Sequence, residues 1–114
     1  MRDAVAFKVL TASEKDRLEQ GSFPGSVDDR RDGFIHLSTA AQLTATVDKH
    51  FNGQDDLWIA EVDLEALGEK VRWEPSRGGE DFPHLYADLP LDAVVAYSPL
   101  DRDDDGEVRL PVTG

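Results

Sequence analysis

Hydrophobic positions in the first third of the chain follow two different periods. Residues 4–10 (AVAFKVL) are rich in β-branched and aromatic side chains and predict a strand. Thr11 and Glu14 have the spacing of a capping box, and Gly21 stands where such a helix would end, so a helix is predicted over about 12–20. The segment 21–32 combines Gly, Pro, Ser and Asp and predicts a loop.

The next stretch repeats the order of strand and helix. Residues 33–37 (GFIHL) predict a second strand. Thr39 and Gln42 repeat the capping-box spacing, and apolar residues then recur at helical intervals, which predicts an amphipathic helix over about 40–51.

The second half contains mostly short strands. Strands are predicted at 57–63, 70–74, 83–87 and 92–100, with a single helical turn at 63–68. Two helices in the N-terminal half and several short strands indicate an α+β fold. At 114 residues, the chain has the length of one domain, which we expect to span 1–114.

Charge and composition exclude several classes of protein. The chain has 24 acidic and 12 basic residues, a formal net charge of -12, so it would repel long nucleic acids. The absence of cysteine excludes disulfides, thiolate metal sites and a cysteine nucleophile. Neither a signal peptide nor a membrane-spanning stretch is recognisable, so a cytoplasmic protein with no membrane partner is expected. The sequence does not predict the oligomeric state.

Polar side chains alternate with apolar ones in three of the predicted strands. Because residues two apart share a face of a strand, three polar pairs would lie opposite apolar, core-facing residues. These pairs are His36 with Ser38, Arg72 with Glu74, and His84 with Tyr86. If the three strands adjoin, the six groups would line one polar cleft, as a small-molecule site requires.

Each of these residues also has a purely structural interpretation. A single histidine on a strand is more often hydrogen-bonded within the fold than catalytic. Arg72 and Glu74 could form a solvent-facing pair that contributes at most ~1 kcal/mol. Ser38 could serve only to begin the following helix, whose N-terminal amides would also suit an anionic ligand.

Three segments taken together carry a resemblance to a known family. They are DGFIHLSTAAQ, VRWEPSRGG and FPHLYADLP, and the likeness extends from FKVLTASE to DAVV. The chain resembles the domain-of-unknown-function 952 family of small bacterial and archaeal proteins. This resemblance implies an ADP-ribosyltransferase-like fold, in which a split pair of small sheets surrounds a cleft for a nicotinamide dinucleotide.

The resemblance also implies site residues. His36 and His84 would line the cleft, with Tyr86 nearby. Related members often carry His or Lys in the first strand, a position that Lys8 occupies, and whether Lys8 contributes to the site is left open.

The resemblance suggests NAD as cofactor or substrate, and the residue types match the roles that ADP-ribosyl chemistry needs. Glu74 would stabilise the ribosyl cation, either histidine would hold hydroxyl groups, and Tyr86 would stack on nicotinamide. The remaining candidates for ligand contacts are Ser38, Thr39, Gln42, Arg72 and Arg77, of which either arginine would clamp the pyrophosphate.

Two other functions remain open at this point. The first is a non-enzymatic module that senses a small molecule or docks on a partner. The second is a metal-assisted hydrolase that uses His36, His84 and Glu74 as ligands. No HExxH or HxH spacing supports the second, so no metal is expected.

Overall fold

The protein is a mixed α/β domain with three small antiparallel sheets. The computed structural model describes residues 3–111, apart from the side chain of residue 77. Within these residues, the strands are β1 (Val5–Leu10), β2 (Ser22–Phe23), β3 (Ile35–His36), β4 (Trp58–Asp63), β5 (Val71–Pro75), β6 (Asp81–Leu85), β7 (Leu89–Pro90) and β8 (Val94–Pro99). The helices are α1 (Ala12–Glu19), α2 (Val27–Asp32), α3 (Ala40–His50) and α4 (Leu64–Leu67).

The strand order places the site at the junction of two sheets. One sheet has the order β1-β4-β8, another has β3-β6-β5, and β2 pairs with β7. The three strands with polar faces, β3, β5 and β6, therefore do adjoin. A pair of backbone hydrogen bonds between Phe7 and Ser38, 2.7 and 2.9 Å long, joins β1 to the segment after β3.

Two hydrophobic clusters hold these layers together. The larger one includes Ala6, Leu10, Ile35, Leu37 and Leu85, so one face of β1, Ile35 of β3 and Leu85 of β6 contribute to it. The smaller one packs α3 onto the opposite face of β1. Strand alternation thus buries the residues beside His36 and His84, as predicted.

Capping residues begin three helices where the sequence predicts them. Glu14 closes a capping box with Thr11 at the start of α1. The Gln42 side chain accepts a hydrogen bond of 3.0 Å from the Thr39 amide at the start of α3. Asp63 caps the single turn of α4. These three predictions are confirmed.

The prediction of a loop at 21–32 is wrong. This segment contains β2 and α2, so the N-terminal half has three helices rather than two. Ser26 and Asp29 form a reciprocal capping box, in which each side chain accepts a hydrogen bond from the other's amide, 3.1 and 2.9 Å long. Gly33, with a left-handed φ of 88°, ends the helix.

Other strands also differ from the predictions. β3 contains only two residues: the Leu37 amide still donates to the Pro83 carbonyl of β6, but proline has no amide hydrogen to donate in return, and Ser38 pairs with Phe7 of β1 instead. The short strand expected at 83–87 lies at Asp81–Leu85, and β7 was not predicted. The α+β class is confirmed, whereas the ADP-ribosyltransferase-like arrangement stays a prediction.

Among residues 3–111, no helix combines the length and the apolar character needed to cross a bilayer.

Candidate functional site

All three histidines of the chain line one cavity. This cavity has a volume of about 280 Å³ and is called the His cavity below. Besides His36, His50 and His84, the lining includes two other basic residues, Lys8 and Arg31. Three phenylalanines, three serines, one threonine and three aspartates of α2 also contribute. A chain of strongly negative net charge therefore gathers its imidazoles at one place.

Asp29 is a buried carboxylate in the wall of the His cavity, where it accepts hydrogen bonds from several elements of the fold. Its side chain is 2% exposed, and its two oxygens accept four hydrogen bonds or ion pairs. Oδ1 lies 3.1 Å from the His36 amide and 2.6 Å from His36 Nδ1. Oδ2 lies 2.9 Å from the Ser26 amide and 2.8 Å from Lys8 Nζ. Asp29 thus connects β1, α2 and β3.

The donors around Asp29 determine its ionisation. Burial alone would raise the pKa of Asp29, but the hydrogen bond from His36 and the positive charge of Lys8 outweigh burial. The pKa of Asp29 therefore lies well below its ordinary value, and the group is a carboxylate at neutral pH. Lys8 is equally enclosed, with its side chain 7% exposed, and its ammonium also donates to the His36 carbonyl at 3.2 Å.

The ring of His36 lies between two carboxylates of α2. Nδ1 faces Asp29 at 2.6 Å, and Nε2 faces Asp32 at 3.0 Å. Each ring nitrogen of His36 therefore has a carboxylate partner. His36 therefore holds α2 against β3 and presents a half-buried ring to the cavity.

His84 pairs with a different carboxylate, that of Glu74, which lies outside the cavity lining. Its Nδ1 lies 2.8 Å from Glu74 Oε1, and the Tyr86 hydroxyl donates to the same oxygen at 2.7 Å. The hydrogen bonds from Tyr86 and then His84 lower the pKa of Glu74, and the same carboxylate raises the pKa of Tyr86. Glu74 and Tyr86 are not among the residues that line the cavity.

Phe34 packs between the two strand histidines and Tyr86. Its ring stacks on His84 with centroids 4.0 Å apart and lies 4.6 Å from His36 and 5.3 Å from Tyr86. The two imidazoles are themselves 5.7 Å apart. These contacts restrict both rings, because each has an aromatic neighbour on one side and a carboxylate on another.

Hydroxyl groups cover another part of the cavity wall. Thr46 donates to the Gln42 carbonyl at 3.1 Å, so the 2.8 Å contact between Ser38 and Thr46 leaves Ser38 as the donor. Both residues line the cavity. Ser38 therefore lies at the predicted site.

The structure places three of the other predicted ligand contacts, Thr39, Gln42 and Arg72, outside the cavity lining. Thr39 and Gln42 are buried at the start of α3, where Gln42 Nε2 donates to Glu80 and to the Asp81 carbonyl at 2.6 and 2.8 Å. The Arg72 guanidinium lies over the Tyr86 ring, 5.0 Å from its centroid. The side chain of Arg77 lies outside the described part of the chain.

Several residues of the site were not predicted as site residues, among them Asp29, His50 and Lys8. Asp29 lies in the segment predicted as a loop, although Ser26 and Asp29 have the spacing of an N-terminal helix cap, a pattern that could have located it. His50 ends α3 and reaches the cavity from a distant part of the sequence. Lys8 was left open, and the structure shows it beside Asp29.

The fold and this cavity define a small α+β protein with a histidine-lined site. The family described as "Protein of unknown function (DUF952)" matches residues 9–97, and the chain belongs to this family. The predicted family membership is thus confirmed.

Solved structures of a relative agree with the fold. The chain is similar to protein CC0527 from Caulobacter crescentus. The crystal structure of CC0527 has 44% sequence identity to this chain and a TM-score of 0.83, and the match covers 92% of this chain and 93% of that one. The solution NMR structure of CC0527 is 45% identical with a TM-score of 0.78 and coverage of 93% and 91%. No curated protein matches the chain.

Proposed function

We propose that the His cavity binds a nucleotide of the NAD or ADP-ribose type. One observation carries this proposal: the three histidines line the same cavity as Lys8 and Arg31, in a chain whose net charge is -12. The aspartates of α2 in the lining pair with Lys8, Arg31 and His36 and hold these groups in place, and an anionic ligand would compete for their remaining donors. Binding of such a small ligand does not require affinity for a polyanion.

The lining has side chains suited to the phosphate groups of a nucleotide and others suited to its base and ribose. Arg31 is exposed at the cavity wall, where its guanidinium suits a phosphate group better than an ammonium would. Phe7, Phe51 and Phe82 offer apolar ring surface to a base or to nicotinamide. The hydroxyls of Ser38 and Thr46 suit the ribose hydroxyls.

The size of the cavity limits what fits inside it. About 280 Å³ lies just below the ~300–1,000 Å³ that is typical of small-molecule sites. We therefore expect the cavity to hold one half of a dinucleotide, with the other half outside it.

The proposed chemistry is ADP-ribosyl transfer or cleavage of the bond between nicotinamide and ribose. A carboxylate that meets the ribosyl cation is needed for both reactions. Asp28 and Asp32 line the cavity and suit this role by position, whereas Glu74 does not line it. The predicted direct contact between Glu74 and the ribosyl centre is therefore replaced in this proposal by an indirect role.

Isothermal titration calorimetry with NAD, ADP-ribose and nicotinamide tests the binding proposal. We expect heat from NAD and ADP-ribose and a clear loss of affinity in Arg31→Ala and His50→Ala, since both side chains line the cavity. Arg17→Ala on α1 and Lys49→Ala on α3 are matched controls, because these exposed basic residues are not part of the lining. No heat at millimolar NAD and ADP-ribose would refute the proposal.

Turnover separates an enzyme from a binding module. Release of nicotinamide from NAD, with water or a supplied acceptor, supports an ADP-ribosyl transferase or glycohydrolase. Saturable binding without release supports the non-enzymatic sensing module instead.

The metal-assisted alternative finds less support in the geometry. Among residues 3–111, no group of three His, Cys, Asp or Glu side chains is arranged to hold a metal ion. The three residues considered for it are engaged in two separate pairs, His36 with Asp29 and His84 with Glu74.

A further inference from the structure

We propose that His84 is a general base in the His cavity and that Glu74 is its positioning residue. This inference rests on the proposed function for the identity of the substrate, but the pairing itself rests on the contacts of His84 alone. It assigns Glu74 to the histidine rather than to the ligand.

The geometry of His84 is that of an oriented imidazole. The side chain is 5% exposed, Nδ1 is 2.8 Å from Glu74 Oε1, and the ring stacks on Phe34 at 4.0 Å. Two contacts, one polar at the ring edge and one aromatic at the ring face, fix both the direction and the tilt of the ring. The ring edge that remains faces the cavity that His84 lines.

The carboxylate also selects the tautomer. An ionised Glu74 accepts hydrogen bonds only, so it favours a proton on Nδ1 of the neutral ring. The lone pair is then on Nε2. Because the Tyr86 hydroxyl donates to the same Oε1 at 2.7 Å, a second hydrogen bond holds Glu74 in place. A base with a fixed tautomer therefore faces the cavity.

The reaction assigned to this base is hydrolysis of the bond between nicotinamide and ribose. The C–N bond breaks, and its electron pair leaves with nicotinamide. A water oxygen forms the new bond to the ribose carbon and gives one proton to Nε2 of His84. That proton passes afterwards to solvent, so NAD and water yield ADP-ribose, nicotinamide and one proton.

The charged groups near His84 come from each strand of its sheet. Glu74 and Arg72 lie on β5, where Arg72 is the backbone partner of His84. His36 is its partner on β3, and Tyr86 follows β6 on the same chain segment. Variants that test His84 and Glu74 should therefore keep Arg72 and His36 unchanged.

Nitrogen NMR of the ligand-free protein tests the pairing, because the ring nitrogen shifts distinguish the two neutral tautomers. We expect His84, identified by its loss in His84→Asn, to carry its proton on Nδ1. Glu74→Gln should mix the tautomers, whereas Glu69→Gln, an equal charge change at an exposed site, should leave them unchanged. A proton on Nε2 in the native protein would overturn the pairing.

Nicotinamide release from NAD tests the catalytic step with the same variants. His84→Asn retains a donor toward Glu74 but has no Nε2, and we expect a loss of about 100-fold or more. Glu74→Gln should lower the rate about tenfold or more. The altered tautomer of His84 in the same variant, with an unchanged circular dichroism spectrum, separates this positioning role from a merely structural defect.

The NMR measurement and the nicotinamide-release assay together separate failure of this inference from failure of the proposed function. If His84→Asn hydrolyses NAD at the native rate, His84 is not the base even though NAD is a substrate. If the native protein neither binds nor cleaves NAD, the proposed function fails and the base role toward NAD fails with it. The tautomer result then stands as a separate measurement of the pair.

Discussion

Replacement of Asp29 by asparagine should be one of the most destabilising polar substitutions in this chain. The new side chain would be uncharged and would carry a donor in place of one oxygen. In the native protein, Oδ1 accepts from two groups of His36, and Oδ2 accepts from the Ser26 amide and Lys8 Nζ. Whichever oxygen is replaced by the amide nitrogen, that nitrogen would face two donors.

The magnitude follows from the charge that remains. Lys8 would keep its buried ammonium and only the His36 carbonyl, 3.2 Å away, among the partners described above. Removal of one partner from a buried ion pair costs about 3–5 kcal/mol. Since the free energy of unfolding of a domain is about 5–15 kcal/mol, Asp29→Asn should consume a large part of it.

Urea unfolding followed by circular dichroism measures this loss as a lower midpoint. Asp55→Asn is the matched control, because Asp55 is exposed and its replacement should change stability by less than about 0.5 kcal/mol. The double variant Lys8→Met, Asp29→Asn should be more stable than Asp29→Asn alone, since it leaves no buried ammonium. Equal stability of Asp29→Asn and Asp55→Asn would refute the reasoning.

Three other predictions follow from the same contacts. The pKa of Asp29 is lowered in the folded state, so its stabilisation is complete above about pH 4 and is lost as the pH falls through the folded pKa. Acid titration of unfolding should therefore be shallower in Asp29→Asn. The pKa of Tyr86 is raised by Glu74, so Glu74→Gln should lower the pH at which one tyrosine ionises in an ultraviolet titration, and an unchanged titration would contradict that contact. Gly33→Ala should cost about 1–2 kcal/mol in urea unfolding, because φ is 88° there while no atom lies within 4 Å of an added Cβ; a neutral effect would contradict the backbone explanation.

The sequence predicted the elements that have a hydrophobic face. In β1 and α3, apolar residues recur at strand and helix periods, and these elements lie within one or two residues of their predicted bounds. Helix α2 has no such face. Its first residue, Val27, is 85% exposed, and its buried residue is Asp29. A helix held by a buried carboxylate instead of by apolar packing gives no hydrophobic periodicity to detect.

The candidate site was predictable only as far as strand alternation determines it. Alternation placed His36 and Ser38 on one face and His84 on that of a neighbouring strand, and the sheet order brings these strands together. It could not show that helices supply Asp29, Asp32 and His50, because contacts between elements depend on the tertiary packing. The partners that determine the ionisation of the site were therefore absent from the prediction.

The clustering of basic groups in an acidic chain follows from the carboxylates behind them. Lys8 and His36 share Asp29, and His84 has Glu74, so these three side chains are each fixed by an acidic partner from another element. Loss of one such carboxylate would both release an element of the fold and change the protonation of a ring in the cavity. Stability and site chemistry should therefore change together for Asp29, which joins three elements. For Glu74, we expect the site chemistry to change with little change in stability, because this side chain is only half-buried and the fold depends on it less.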